Sequence, residues 1–195
     1  MIKGSHNTFT YGKPQWYLRP FAFIARCQNK HLYEQYNSGV RCFDLRLRKD
    51  KNGEWIIPHN SFIYVTSFDL ICIILDYLNR QAKDNKEDIW VRVLHEVRNK
   101  NQAKYSKKED FESICKTIEE KFQHLKFFGG QQTMDWRQDY SFNNNIQYVE
   151  KHASVCWKKP WRWFPWLYAF FNNKKILNDK TLQEDNNTVL FYDFV

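Results

Sequence analysis

The feature that most constrains this chain is a change of hydrophobic period along it. VRCFDLRL at 40–47 alternates with period two: Phe43, Leu45 and Leu47 point one way, Cys42, Asp44 and Arg46 the other. EWIIPH at 54–59 is a second short strand. Residues 67–79 switch to a helical period, with Ser67 as N-cap and Phe68, Ile71, Cys72, Leu75 and Leu78 on one stripe. IWVRVLHEV at 89–97 returns to period two, with Val91, Val93 and Val97 on one face and Arg92, Leu94 and Glu96 on the other. A helix is expected over 107–125, where Ser106 and Glu109 have capping-box spacing and Phe111, Ile114, Cys115, Ile118 and Phe122 form the apolar stripe. TVLFYDFV closes the sequence as a strand, and two or three more strands are expected between 126 and 157.

Strands alternating with helices predict an α/β fold with a parallel sheet and crossover helices. Asp44, Arg46, Glu96 and Asp193 all fall late in their predicted strands. In a (β/α) barrel such ends gather at one mouth, where sites are built. The expectation is therefore a small, irregular TIM-type barrel, with some helices short or missing because the sequence has 195 residues. No repeat, low-complexity tract or composition break marks a second domain, so residues 1–195 are read as one.

Lys and Arg number 30 against 22 Asp and Glu, a formal charge of +8. This balance favours an anionic partner: a phosphate substrate, an acidic membrane or nucleic acid. The basic residues are scattered and no nucleic-acid motif is present, so nucleic acid ranks last. Five cysteines, Cys27, Cys42, Cys72, Cys115 and Cys156, are odd in number and contain no CxxC pair. Three sit at apolar positions of periodic segments, which suits buried free thiols. No signal-peptide run and no stretch of 18 uncharged apolar residues occurs. The expected location is cytoplasmic or peripheral to a membrane, or secreted where a leader has been removed.

Three short motifs carry chemistry: SHN at 5–7, FDLRLR at 43–48 and PHN at 58–60. In this order and spacing the chain resembles the phosphatidylinositol-specific phospholipase C family, in particular its catalytic X-type barrel. GVRCFDLR, the acid-ended LHE and the closing YDFV extend the resemblance over most of the chain. It is strongest over residues 4–60 and weak over 126–185, where NIQYVEKH does not carry over the family's inositol-contacting residues.

The resemblance implies a phosphodiesterase with two imidazoles, because cleavage needs a proton taken from the attacking hydroxyl and one given to the leaving oxygen. His6 is the expected base and His59 the acid. The attacking group in the family is the 2-hydroxyl of inositol, giving a cyclic phosphate and diacylglycerol. Arg46 is expected on the non-bridging phosphate oxygens, Asp193 behind His6, and Asp44 on Arg46 or a substrate hydroxyl. Asn7, Glu96 and Arg92 are the expected substrate contacts. Taken singly, each has a blander reading: His6 as a surface or core histidine, Glu96 as the ion-pair partner of Arg92, Asp193 as a backbone ligand.

Calcium-dependent members place a carboxylate where Arg46 stands, so the resemblance goes to the metal-independent bacterial-type branch, and no cofactor is expected. Asn7 departs from that branch, which has aspartate after the first histidine. Together with Asp44 and Glu96 it offers three oxygens, so calcium stays open. CWKKPWRWFPWLYAFF at 156–171 interleaves four tryptophans with Lys158, Lys159 and Arg162. Residues 157–168 are thus a candidate peripheral membrane contact, or else a segment packed on the barrel. A monomer acting on a phospholipid or related phosphodiester is the leading reading. A catalytically silent lipid-binding module of the same fold is the alternative. A glycerophosphodiester phosphodiesterase is the nearest enzymatic rival, but its glutamate-rich metal site after the first histidine is missing.

Overall fold

A computed structural model describes residues 1–129, 140–142, 149–152, 165–177 and 188–195. The chain divides into two compact units, Met1–Asp44 with Gln147–Val195, and Leu45–Ile146. The boundary falls within the strand Cys42–Lys49.

In the first unit, β1 (Ile2–Ser5) runs parallel to two strands, one on each side. On one side Gly4 and Ser5 pair with Cys42 and Phe43, the start of β2 (Cys42–Lys49). On the other, Ile2 to Ser5 pair with Val189 to Tyr192 of the closing strand, Thr188–Tyr192, which in turn runs parallel to Val149–His152. Gly4 is required here by close approach. A Cβ on it would lie 2.8 Å from a ring carbon of Phe191 and 3.2 Å from Val189 Cγ1. Between β1 and β2 come two 3-10 turns, Thr8–Tyr11 and Trp16–Phe21, then α1 (Ala22–Ala25) and α2 (Leu32–Asn37). The N-terminus of α2 is closed by a capping box between His31 and Glu34, a structural use for that histidine.

In the second unit, β3 (Trp55–His59) turns back antiparallel on the end of β2, Arg48 facing Ile56, and β4 (Phe62–Val65) turns back antiparallel on β3. The sheet is therefore mixed, a correction to the all-parallel expectation. The cause is local: Asn52–Gly53 is a hairpin signal, with Gly53 at φ 85°, and Asn60 at φ 59° turns β3 into β4. The helix after β4, α3 (Phe68–Asn85), is capped by the Ser67 side chain accepting from Leu70 N–H, as the sequence predicts, and it runs on to Asn85. Its buried line is Ile71, Leu75, Leu78 and Ala82. The next strand, β5 (Ile89–His95), pairs with β2 and runs parallel to β6 (Leu125–Gly129).

α4 (Lys100–Tyr105) and α5 (Lys108–Lys121) lie between β5 and β6. The capping box predicted at Ser106 does not form. The N-cap is Lys107, and the buried Ser106 hydroxyl is used elsewhere, 2.8 Å from His95 Nε2 and accepting from Lys49 N–H at 2.9 Å. His95 also stacks on Phe111, so it is structural. The strand Val149–His152 is β7, α6 is Pro165–Leu177, and the strand Thr188–Tyr192 is β8.

The architecture is mixed α/β. Each of β4, β6 and β7 has one strand partner among the described residues, so the closure a complete barrel requires is not among these pairings. β6 and β7 fall in the interval where two or three strands are expected; the rest of that interval lies outside the described residues. Cys27, Cys42 and Cys115 are buried free thiols and Cys72 is a half-buried one, while Cys156 lies outside the described residues. Among the described residues no helix is long and apolar enough to cross a membrane.

Candidate active site

His6 and Asp193 each sit one residue beyond the end of a strand, β1 and β8, and those strands pair directly. The pairing brings His6 Nδ1 to 2.7 Å from Asp193 Oδ1 in a buried setting. A carboxylate can only accept, so the shared proton sits on Nδ1 and the lone pair on Nε2. The backbone fixes this geometry from several sides. His6 N–H donates to Tyr192 C=O at 2.9 Å. The fully buried Gln28 carboxamide donates to His6 C=O at 2.9 Å and Tyr192 C=O at 2.8 Å, and accepts from Val195 N–H at 3.2 Å.

Asn7 takes a left-handed conformation, φ 46°, which asparagine tolerates and most residues do not. Its N–H donates to Asp44 Oδ2 at 2.9 Å, and its side-chain nitrogen lies 3.3 Å from His6 Nε2. Asp44 N–H donates to Thr8 Oγ1 at 2.8 Å. Asp44 thus anchors the turn carrying the first histidine, a role the sequence did not assign it. Cys27 is another residue missed. Asn7 Nδ2 donates to its sulfur at 3.4 Å, and its sulfur, His6 and Asp193 present ligand atoms within 4.8 Å of one another, the metal-competent cluster among the described residues.

In the second unit the polar residues of β2 continue as Arg46 and Arg48, both buried. Arg46 lies 3.7 Å from Glu96 Oε2, and Glu96 Oε1 lies 3.3 Å from Arg98 Nε and accepts from Asn60 N–H at 2.6 Å. Arg48 donates to Asn60 C=O at 3.0 Å. Where the sequence offers Arg92 as the partner of Glu96, the structure brings Arg46 and Arg98 to it; Arg92 is buried on β5. Burial pushes the Glu96 carboxyl above its ordinary range, and Arg46 and Arg98 pull it back. Its oxygens face guanidiniums and an N–H, the surroundings of an ion-pair partner rather than of a calcium ligand. With Arg46, Arg48 and Arg98 around one carboxylate, cationic charge is in excess, as an anion-binding cluster requires. His59 closes β3 opposite Phe62, half-buried.

Arg48 was legible, since it continues the alternation of Asp44 and Arg46. Gln28 and Cys27 were not, because they lie in an aperiodic stretch. Also missed was an aromatic surface in the first unit, where Trp16, Tyr17, Phe21 and Phe23 are all more than half exposed. Phe23, Arg19, Arg26, Trp166 and Phe194 line a shallow cavity there of about 380 Å³. The tryptophan stretch singled out in the sequence lies outside the described residues up to α6, which exposes Trp166, Phe170 and Phe171.

No protein-family model and no curated protein matches the chain. Solved structures do. The phosphatidylinositol-specific phospholipase C of Listeria monocytogenes aligns over 99% of this chain and 87% of its own at 17% identity, with a TM-score of 0.65. A histidine-to-tyrosine mutant of the Staphylococcus aureus enzyme aligns over 99% and 84% at 14% identity, with a TM-score of 0.71. Another S. aureus structure, from work on modulating that enzyme's membrane binding, aligns over 99% and 85% at 15% identity, with a TM-score of 0.64. The chain has the fold of the bacterial phosphatidylinositol-specific phospholipases C.

Proposed function

We propose that this chain is a phosphoric diester hydrolase of the phospholipase C type, acting as a monomeric, single catalytic domain of TIM-like barrel design on a phosphoinositide or related phosphodiester lipid. The observation that carries the reading is the buried His6–Asp193 pair at 2.7 Å. A carboxylate behind an imidazole fixes its tautomer and stabilises the imidazolium that forms on proton uptake.

In this reading His6 Nε2 takes the proton from the attacking hydroxyl as that oxygen bonds to phosphorus. His59 gives a proton to the leaving glycerol oxygen as the phosphorus–oxygen bond breaks, and the products are a cyclic phosphate and diacylglycerol. Arg46 neutralises the non-bridging oxygens, and the guanidinium excess around Glu96 supports that role. Asn7, Glu96 and Arg92 contribute to substrate binding, Asn7 through its amide beside His6 and Glu96 by holding Arg46 in place. No step needs a metal.

Purified protein incubated with phosphatidylinositol vesicles, with and without chelator, tests this. Release of inositol phosphate that survives chelation and is lost in His6→Ala supports the reading. Activity unchanged in His6→Ala removes the base. The alternative, a silent lipid-binding module, draws on the exposed Trp16, Tyr17, Phe21 and Phe23. Vesicle binding without turnover of any phosphodiester favours it.

A further inference from the structure

We propose that His6, Cys27 and Asp193 form a zinc-binding site whose occupation shuts off the chemistry assigned to His6. One ring nitrogen, the Cys27 sulfur and one carboxylate oxygen lie within 4.8 Å of one another, all three residues buried. A tetrahedral zinc ion with bonds of about 2.0–2.3 Å holds its donors roughly 3.3–3.8 Å apart. His6 Nδ1 and Asp193 Oδ1 are already 2.7 Å apart, so the set needs only small side-chain shifts to close on an ion. The donors choose the metal. Imidazole, thiolate and carboxylate together suit borderline-soft zinc, whereas calcium and magnesium take oxygen alone.

The sulfur is held from two sides: the Asn7 amide donates to it at 3.4 Å, and its thiol faces Ala25 C=O at 3.9 Å. Cys27 is held at the end of β8, its carbonyl accepting from Phe194 N–H at 2.7 Å and its N–H donating to Thr10 Oγ1 at 3.0 Å, so the sulfur is pre-positioned. On binding, Cys27 releases its thiol proton to water, while the proton on His6 Nδ1 passes to Nε2, so the ring binds as a neutral imidazole and its Nε2 no longer has a lone pair to accept a proton. Three protein ligands leave a fourth position for water. The site differs in residues and in kind from a calcium site built on Asn7, Asp44 and Glu96.

Inhibition rests on the reading of His6 as base; metal binding does not. Competition of the purified chain against a chromophoric chelator measures zinc affinity, and cobalt(II) substitution reports the sulfur ligand by its thiolate charge-transfer absorption. One equivalent should bind with that absorption. Cys27→Ser should abolish the absorption and weaken zinc roughly 100-fold or more, while Cys72→Ser keeps both. Cys27→Ala serves if the serine variant unfolds on thermal denaturation. Absence of the absorption in the wild type, or equal zinc affinity in the Cys27 variants, overturns the site. In a phosphodiesterase assay zinc should inhibit the wild type, EDTA should restore it, and Cys27→Ser should resist. Metal binding with no phosphodiesterase activity in the metal-free protein retains the site and discards the catalytic reading instead. An active enzyme that binds zinc at these residues without losing rate overturns the inhibitory role.

Discussion

His6 Nδ1 meets Asp193 Oδ1 at 2.7 Å across 187 residues of chain. The contact exists because β1 and β8 run parallel in register, Ser5 beside Tyr192, so the residue after each strand emerges at the same edge. Asp193→Asn keeps the shape but allows the amide to present its nitrogen to Nδ1 and reverse the tautomer. The expected loss in kcat is about 100- to 10,000-fold with KM little changed. Steady-state rates on phosphatidylinositol vesicles check this, and a kcat within threefold of wild type argues against the orienting role.

Gly4 sets how closely those two strands approach. Alanine there drives a methyl to 2.8 Å from the Phe191 ring, a contact that cannot persist. Gly4→Ala is expected to cost about 1–3 kcal/mol of stability and to reduce kcat, since His6 and Asp193 ride on the displaced strands. Urea unfolding measures the first and turnover the second; a variant as stable as wild type shows the strands can part without penalty.

Glu96 is an acid whose folded pKa lies above its ordinary value of 4.5, raised chiefly by burial. Such a group keeps its proton in the fold at pH values where the unfolded chain has lost it. Stability therefore falls as pH rises from the unfolded value towards the folded one. Glu96→Gln removes that slope. Unfolding free energies from about pH 4 to 8 should show the wild type losing ground to the variant as pH rises. The opposite trend means the arginines outweigh burial.

Trp16, 76% exposed, and Phe23, 52% exposed, belong to the first unit's aromatic surface beside Arg19 and Arg26. Exposed rings next to cationic side chains suit an anionic bilayer surface. The double variant Trp16→Ala with Phe23→Ala should weaken partition onto anionic vesicles by about tenfold or more, with turnover of a soluble phosphodiester unchanged. Sedimentation with vesicles reads the first quantity. Unaltered partition argues against this surface as a membrane contact.

The strands and helices legible in the sequence are those whose period is enforced by burial. β2 has Phe43, Leu45 and Leu47 fully buried on one face and the charged row Asp44, Arg46 and Arg48 buried on the other. The Ser67 cap was legible because a helix cap is a local bond. The same rule failed at Ser106, whose hydroxyl answers to His95 and to Lys49, 57 residues away. The resemblance named His6 and Asp193, but nothing local announces that Glu96 holds Arg46 and Arg98, since ion-pair partners follow from which strand ends meet. The antiparallel return of β3 rests on Asn52–Gly53, a short turn signal that outweighs the strand–helix alternation around it. Cys27 and Gln28 sit in ARCQNK, which has no period at all.

Gln28 illustrates how much of a site can rest on a residue without chemistry of its own. Its carboxamide satisfies the carbonyls of His6 and Tyr192 and the N–H of Val195, so one side chain ties together the residues flanking the imidazole–carboxylate pair. Gln28→Leu fills similar space but leaves those buried groups without this partner, at a cost of about 1–3 kcal/mol for each one stranded. Gln28→Glu keeps one acceptor and loses the donor that the carbonyls need. Both variants should lower kcat more than they raise KM, because the pair is displaced before substrate contacts are. Thermal denaturation separates this from unfolding: assays run well below each variant's own midpoint should still show the reduced kcat. Full recovery of kcat at low temperature would reduce Gln28 to a packing residue.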